Sequence, residues 1–124
     1  MAGDLKISSE KPASKQDVLV MHLSGWLDQT SEEQLIAAVR TALHQGSRFL
    51  VLELSGVEML TSAGVRALQR AHKFMTPETG TAPAQPLKLC NAPPNVYHVL
   101  NLTGLLQMIP NYESAQTAID SFGS

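Results

Sequence analysis

Runs of apolar and β-branched residues alternate along this chain with segments in which apolar residues recur every three or four positions. The runs predict β-strands at residues 18–23, 49–54 and 87–90, with weaker strands at 5–8 and 105–109. The periodic segments predict helices at 31–45, 63–74, 94–102 and 113–122. Because strands that alternate with helices need crossover connections, the pattern predicts an α/β fold. We expect a mixed, largely parallel sheet of four to five strands, covered by about four helices.

Residues that are typical of helix caps and turns predict where these elements begin and end. The first helix should begin at two overlapping capping boxes, in which Thr30 and Ser31 precede an acid or amide by three residues. It should end at Gly46, and the third helix should end at Gly104. The segment Ser-Gly-Val-Glu at 55–58 predicts a turn between the second main strand and the second helix.

The length of the chain predicts a single domain. With 124 residues and 44% hydrophobic content, the chain can form one core and is too short for two ordinary domains. We place that core at about residues 18–122. Residues 76–86 contain three prolines and a glycine, so they predict a flexible surface loop, and Pro77 should end the second helix.

Charge and composition exclude several function classes. The formal net charge of -2, with no run of basic residues, argues against nucleic acid and against an anionic membrane surface as partners. No apolar run approaches the roughly 20 residues of a membrane-spanning helix. The single cysteine, Cys90, cannot form an intramolecular disulfide, and the first residues lack the order of a secretion signal. We therefore expect a soluble, cytoplasmic protein without membrane insertion.

The most informative segment is the start of the second helix. A buried strand that leads into Met59–Gly64 places Ser62 near unpaired backbone N–H groups and the positive end of a helix. Such a position favours an anion, and covalent phosphate is the anion we predict. The alternative is that Ser62 serves only as the N-cap of the helix. Gly64 needs no function beyond allowing close backbone packing.

No constellation of catalytic or metal-ligating residues is visible. Ser62 has no base beside it in sequence, so we expect it to be a substrate for modification and not a catalytic nucleophile. The four histidines lack ligand spacing, namely His22, His44, His72 and His98. We expect neither an enzyme, nor a metal site, nor a cofactor.

Residues 52–68 resemble the central motif of STAS domains, which reads roughly L-D-L-S-G-V, one variable position, two apolar positions, then D-S, a small residue and G-L. The segment Gly25-Trp26-Leu27-Asp28 is similar to the family's G-x-L-D turn. Residues 87–91 and 99–105 are similar to its L-x-L and V-L-x-L-T-G-L segments. The resemblance extends from about residue 18 to residue 122, and it implies the STAS fold.

Stand-alone STAS proteins of this length are typically bacterial anti-sigma factor antagonists. The resemblance implies that the unmodified protein binds an anti-sigma factor that is also a serine kinase. Phosphorylation of the motif serine ends the binding, and a serine phosphatase restores it. That serine corresponds to Ser62. The acidic residue that usually precedes it is Thr61 here, which makes Thr61 a second candidate acceptor.

The predicted parallel sheet also indicates where a partner binds, with the alternative that Trp26 caps the core and Asp28 fixes a turn. Trp26 and Asp28 should lie at the same edge of a parallel sheet as the start of the second helix. The predicted partner-binding residues are Trp26, Asp28, Thr61, Ser62, Ala63, Gly64 and Arg66. A phosphate on Ser62 should accept hydrogen bonds from the first-turn amides and from Arg66.

Two other functions stay open. The chain could be a non-phosphorylated STAS subunit of a membrane transporter or of a stress-signalling scaffold. It could instead be a sensor of a nucleotide or other small ligand, because a helix start favours anions. The sequence also leaves a homodimer open.

Overall fold

The computed structural model describes residues 4–12, 17–76 and 86–122, which form a sheet flanked by helices. Its elements are β1 (Lys6–Glu10), β2 (Val18–Leu27), α1 (Glu32–His44), β3 (Phe49–Leu60), α2 (Ser62–Met75), β4 (Leu87–Cys90), α3 (Pro94–Leu102), β5 (Asn111–Tyr112) and α4 (Ala115–Asp120). The predicted α/β class is confirmed. The loop predicted at 76–86 lies outside the described residues except for its two end residues, as does Pro77.

The five strands of the described sheet lie in the order β1-β2-β3-β4-β5. The edge strand β1 pairs antiparallel with β2, while β2, β3, β4 and β5 pair in parallel. The carboxyl ends of β2 and β3 therefore meet at one edge, where Leu27 pairs with Leu60. This arrangement brings the loop after β2 beside the start of α2.

The central strand β3 is buried on both faces, which explains its apolar run. Leu50, Leu52 and Leu54 pack in the main core with residues of α1 and α2. Phe49 and Val51 face the opposite side and pack in a smaller core with residues of α4. Successive side chains of a strand point to opposite faces, so a run without alternation is what a strand covered on both sides requires.

The predicted turn at 55–58 is wrong, because β3 continues as a strand to Leu60. Likewise, β2 does not end near Gly25 but continues to Leu27 with shifts in register. Gly25 has a φ of +100°, which accommodates the irregularity. At Gly56 a Cβ would lie 2.8 Å from the Cβ of Ser24. These glycines therefore reflect a bulge and a close approach of strands, not a turn.

Neither predicted capping box forms at the start of α1. Thr30 donates its hydroxyl to the Asp28 carboxylate, and the Ser31 hydroxyl donates to the carbonyl of Trp26 at 2.8 Å. Ser31 is the N-cap residue, but its side chain makes no capping bond. Glu33 reaches across to α2 instead of back to the cap. Gln34, the amide of the second box, donates to the carbonyl of Leu5 at 2.9 Å.

The C-terminal third differs from the prediction in its details. Gly104 ends α3 in the left-handed region, at a φ of +76°, and Gly46 follows α1 at +97°, so both predicted stops are confirmed. The strand predicted at 105–109 is instead a short 3₁₀ turn. The last strand is β5, and α4 is shorter than the predicted 113–122. The edge strand β1 also lies slightly later than the predicted 5–8.

Candidate functional site

The strand β3 leads directly into α2 through Thr61, whose side chain is fully engaged. The backbone N–H of Thr61 donates to the carbonyl of Leu27 at 3.0 Å. Its hydroxyl donates to the same carbonyl at 3.3 Å and accepts from the N–H of Gly64 at 3.3 Å. Thr61 is therefore the N-cap of α2 and ties the helix to the end of β2.

Ser62 is the first residue of α2, and its side chain is exposed. Within the described part of the chain, its hydroxyl has no hydrogen-bond partner. The alternative of Ser62 as the N-cap is wrong, because Thr61 fills that role. The structure thus leaves the Ser62 hydroxyl accessible at a helix start, where the backbone dipoles favour negative charge.

Gly64 fixes the position of this helix start. A Cβ at Gly64 would lie 2.2 Å from the carbonyl oxygen of Leu27 and 2.7 Å from Cδ1 of Leu60. Only a residue without a side chain allows α2 to sit this close to the strand end. The predicted close packing at Gly64 is confirmed, and it holds Ser62 at the carboxyl edge of the sheet.

The loop after β2 forms the other side of the site. The Asp28 carboxylate accepts hydrogen bonds from the Thr30 hydroxyl at 2.6 Å and from the Thr30 and Ser31 N–H groups at 3.0 and 3.3 Å. The Thr30 hydroxyl, opposed by desolvation, is the main reason that the pKa of Asp28 is lowered. Asp28 therefore stays charged and holds the turn.

A shallow depression of about 310 Å³ joins the two sides of the site, and it is lined by Asp28, Gln29, Thr30, Thr61, Ser62 and Ala63. Half-buried Trp26 pairs with Met59 on the adjacent strand, and the Met59 side chain is exposed. The structure thus brings Trp26, Asp28 and residues 61–63 to the same edge of the sheet.

Arg66 lies one helical turn after Ser62, but it already has a partner. Its Nη2 lies 3.3 Å from a carboxylate oxygen of Glu32 on α1, and Arg70 Nη1 lies 2.5 Å from the other oxygen. Arg70 also contacts Glu33 at 3.0 Å. The pKa of Glu32 is lowered chiefly by Arg70, with burial opposing and Arg66 contributing less. This network clamps α1 to α2 beside the site.

Sequence reasoning missed a polar cluster on the other face of the sheet. The buried Glu53 carboxylate accepts from the Asn91 amide at 2.9 Å and from the Ser55 hydroxyl at 2.9 Å. It also lies 3.3 Å from Nδ1 of His22, whose Nε2 lies 2.6 Å from Glu10. The available signal was Glu53 itself, the one charged residue within its apolar run.

The titration of this cluster follows from its contacts. Burial acts to raise the pKa of Glu53, but hydrogen bonds from Asn91, Ser55 and His22 outweigh it and lower that pKa. The hydrogen bond to Glu10 is the main cause of a raised pKa at His22, against partial desolvation. In its protonated form, His22 bridges two carboxylates and links β1 to β3.

The described residues contain neither an activated thiol nor a cluster of metal-ligating side chains. Burial raises the pKa of the Cys90 thiol to about 12, so it is not a nucleophile at neutral pH. In residues 4–12, 17–76 and 86–122, no three His, Cys, Asp or Glu side chains come together to hold a metal ion. Nor does any helix within these ranges have the length and apolar character to cross a membrane.

Comparison with known proteins identifies relatives along most of the chain. The family model of the STAS domain matches residues 11–118. BtrV of Bordetella bronchiseptica, which carries the provisional name of anti-sigma factor antagonist, is 29% identical over 105 residues, or 85% of this chain and 86% of BtrV.

Solved structures share the same fold. An anti-sigma factor antagonist from Mycobacterium paratuberculosis has a TM-score of 0.79 at 24% identity, covering 97% of this chain and 95% of its own. The Bacillus cell fate determinant SpoIIAA in its phosphorylated form has a TM-score of 0.65 at 23% identity, covering 95% of this chain and 100% of its own. At these identities the structural likeness establishes the fold.

Proposed function

This chain belongs to the STAS domain family, and from that premise we propose that it is an anti-sigma factor antagonist switched off by phosphorylation of Ser62. In the unmodified state it binds an anti-sigma factor that is also a serine kinase, and so frees the sigma factor. A serine phosphatase returns the phosphorylated protein to the binding state. The chain itself acts as a binding protein and not as an enzyme.

The observation that carries this proposal is the contrast between two adjacent hydroxyls. The Thr61 hydroxyl caps α2 and bonds to the carbonyl of Leu27, so a kinase would have to break both contacts to reach it. The Ser62 hydroxyl is exposed, with no partner in the described residues. Ser62 is therefore the preferred acceptor, although the family motif usually has an acid at the position of Thr61.

Charge explains how the modification would end binding. A phosphoryl group adds about -1.5 to -2 charge to the rim of the depression that contains Asp28, which is already ionised. Covering both charges with a partner surface costs several kcal/mol of desolvation and repulsion. Each 1.4 kcal/mol is a factor of ten in affinity, so about a hundredfold loss or more requires no refolding.

The proposed contact surface is the carboxyl edge of the sheet. Ser62, Asp28 and the exposed Met59 give it a polar centre with an apolar neighbour. Half-buried Trp26 lies on β2 beside Met59, with which it pairs. Aromatic and methionine side chains are enriched in protein interfaces, which fits a contact at this edge.

The test is a binding titration with the anti-sigma factor kinase of the same organism, in the absence of ATP. We expect Ser62→Asp to weaken binding at least about a hundredfold, and Ser62→Ala to change it little. Ser114→Asp is the matched control, because Ser114 stands at the start of another helix. It should bind like the native protein.

The outcome also separates the alternatives. Unchanged binding by Ser62→Asp would reject the switch and favour a non-phosphorylated subunit of a transporter or scaffold. Heat on titration with nucleotides would favour a ligand sensor. Neighbouring genes for a kinase-like ATPase and a sigma factor would agree with the proposed function.

A further inference from the structure

The carboxylate of Glu32 lies between two arginines of α2. The Glu32 side chain is only 11% exposed, so it needs a counterion to compensate its burial. Arg70 contacts one of its oxygens at 2.5 Å, and Arg66 contacts the other at 3.3 Å through Nη2 and 3.4 Å through Nε. Both contacts join α1 to α2 next to Ser62.

The two arginines are not equivalent. The Arg70 side chain is 37% exposed and is also held by Glu33, whereas the Arg66 side chain is 58% exposed and makes only the longer contacts to Glu32. An exposed ion pair of this geometry contributes little to stability. If Arg66 left, Glu32 would keep Arg70 as its counterion, so the departure of Arg66 costs little.

Arg66 is also in reach of a modified Ser62. Residues four apart on a helix lie on the same face, one turn above the other. Long helical side chains lean toward the N-terminus, which points Arg66 back toward Ser62. A guanidinium binds a phosphate through two parallel hydrogen bonds, and such a charge-assisted pair is stronger than the long contact it would replace.

We propose that phosphorylation of Ser62 moves Arg66 from Glu32 to the new phosphate, while Arg70 keeps Glu32. In the modification, a bond forms between the Ser62 oxygen and the γ-phosphorus of ATP, ADP leaves, and the hydroxyl proton passes to a base of the kinase. The inference rests on the proposed function in one respect, namely that Ser62 is the modified residue.

The exchange extends the effect of the modification beyond Ser62. The groups around the phosphate would be the Asp28 carboxylate, which repels it, and Arg66, which attracts it. At the same time one of the two arginines that bind Glu32 leaves it, so the Glu32 side chain is held to α2 only through Arg70. A partner that covers this edge would meet a changed α1 as well as a new charge.

The experiment places phosphoserine at position 62 by genetic code expansion and follows its ³¹P resonance as a function of pH. The second pKa of a phosphoserine is about 6, and a bound guanidinium lowers it. We expect Arg66→Gln to raise this pKa by about half to one unit. Arg48→Gln is the matched control, because Arg48 is exposed at the opposite end of β3 and should give a much smaller shift.

A double-mutant cycle then tests the competition with Glu32. Glu32→Gln should lower the phosphate pKa, because it frees Arg66, and this effect should largely disappear in the Arg66→Gln background. Amide spectra of each variant establish that it is folded. If Glu32→Gln is not folded, Arg70→Gln takes its place in the cycle. Without Arg70, Glu32 depends on Arg66 as its counterion, so the pKa of the phosphate should rise. This rise should be seen only when Arg66 is present.

Two results would overturn the exchange. One is a shift in Arg66→Gln no larger than in Arg48→Gln, and the other is an effect of Glu32→Gln that is the same with and without Arg66. Because the phosphoserine is installed without a kinase or partner, these results do not depend on the proposed function. If the phosphate is coupled to Arg66 and Glu32 but does not weaken partner binding, only the proposed function is rejected. If the phosphate weakens partner binding but is not coupled to Arg66 and Glu32, only the exchange is rejected.

Discussion

Two polar regions lie along β3, and they use their hydrogen bonds in opposite ways. In the middle of the strand, Glu53 is buried and bonded to Asn91, Ser55 and His22. Just beyond its end, the hydroxyl of Ser62 is exposed and has no partner in the described residues. Saturated polar groups hold the sheet together, whereas an unsatisfied one on a rigid support is available to another molecule.

This comparison predicts that substitutions in the two regions will have separate consequences. Changes around Glu53 should lower the free energy of unfolding and leave partner binding unchanged while the protein stays folded. A negative charge at Ser62 should weaken partner binding and leave stability unchanged. Thr61 and Gly64 hold the start of α2 against the end of β2, so substitutions there should affect both stability and partner binding.

The largest expected loss of stability is that of Glu53→Ala. Removing the carboxylate breaks the charge-assisted hydrogen bonds that Glu53 accepts from half-buried Asn91 and from Ser55, so we expect a loss of about 3 kcal/mol. Urea unfolding checks this value, with Ser62→Ala as the control that should change stability by less than about 0.5 kcal/mol. Similar values for the two variants would remove the distinction between the regions.

Gly64→Ala should come next. The new Cβ would lie 2.2 Å from the Leu27 carbonyl oxygen, so α2 must move away from the end of β2. We expect a cost of about 2 kcal/mol, together with weaker partner binding because Ser62 moves with the helix. Thermal unfolding and a binding titration measure the two effects. Native values in both would show that the close contact does not position the site.

Thr61→Ala should have a smaller effect on stability. It removes the N-cap of α2 and should cost about 1 kcal/mol, as measured by urea unfolding. The neighbouring Ser62→Ala is the matched control, since Ser62 caps nothing. If Ser62→Ala were the more destabilising of the two, the assignment of the cap would be wrong.

The pH dependence of stability gives the smallest effect. A lowered pKa at Glu53 contributes stability that is lost as pH falls below its ordinary value of 4.5. A raised pKa at His22 contributes stability that is complete below 6.5 and is lost as pH rises through the folded value. The cluster around Glu53 should therefore be most stable between these two values.

His22→Gln isolates the alkaline part of this profile. It should abolish the loss of stability above about pH 6.5, a few tenths of a kcal/mol because His22 is partly exposed. His72→Gln is the control of opposite sign, since burial lowers the pKa of His72 and its contribution is lost as pH falls. An unchanged alkaline slope in His22→Gln would contradict the bridge between the carboxylates.

Much of this fold could be predicted from the sequence, since apolar runs and helical periodicity identify buried strands and covering helices without tertiary information. The extent of β3 could not, because Gly56 indicates a turn locally while pairing with β2 keeps it in the strand. The strand predicted at 105–109 failed for the related reason that apolar residues also line a 3₁₀ turn packed on the core.

The candidate site, like the fold, could be predicted from the sequence only in part. The exposure of Ser62 at the start of α2 follows from local sequence together with the family resemblance. The roles of its neighbours do not, because they depend on contacts between distant residues. Thr61 caps the helix in place of Ser62, and Arg66 is held by Glu32, thirty-four positions earlier. The pairing of Arg66 with Glu32 can be seen only when α1 is packed on α2.

The most direct test of the account is the mass of the protein after incubation with its anti-sigma factor kinase and ATP. We expect a gain of one phosphate in the native chain and in Thr61→Ala, and no gain in Ser62→Ala. An unmodified native chain, or a phosphorylated Ser62→Ala, would contradict the claim that the free hydroxyl at the start of α2 is the switch.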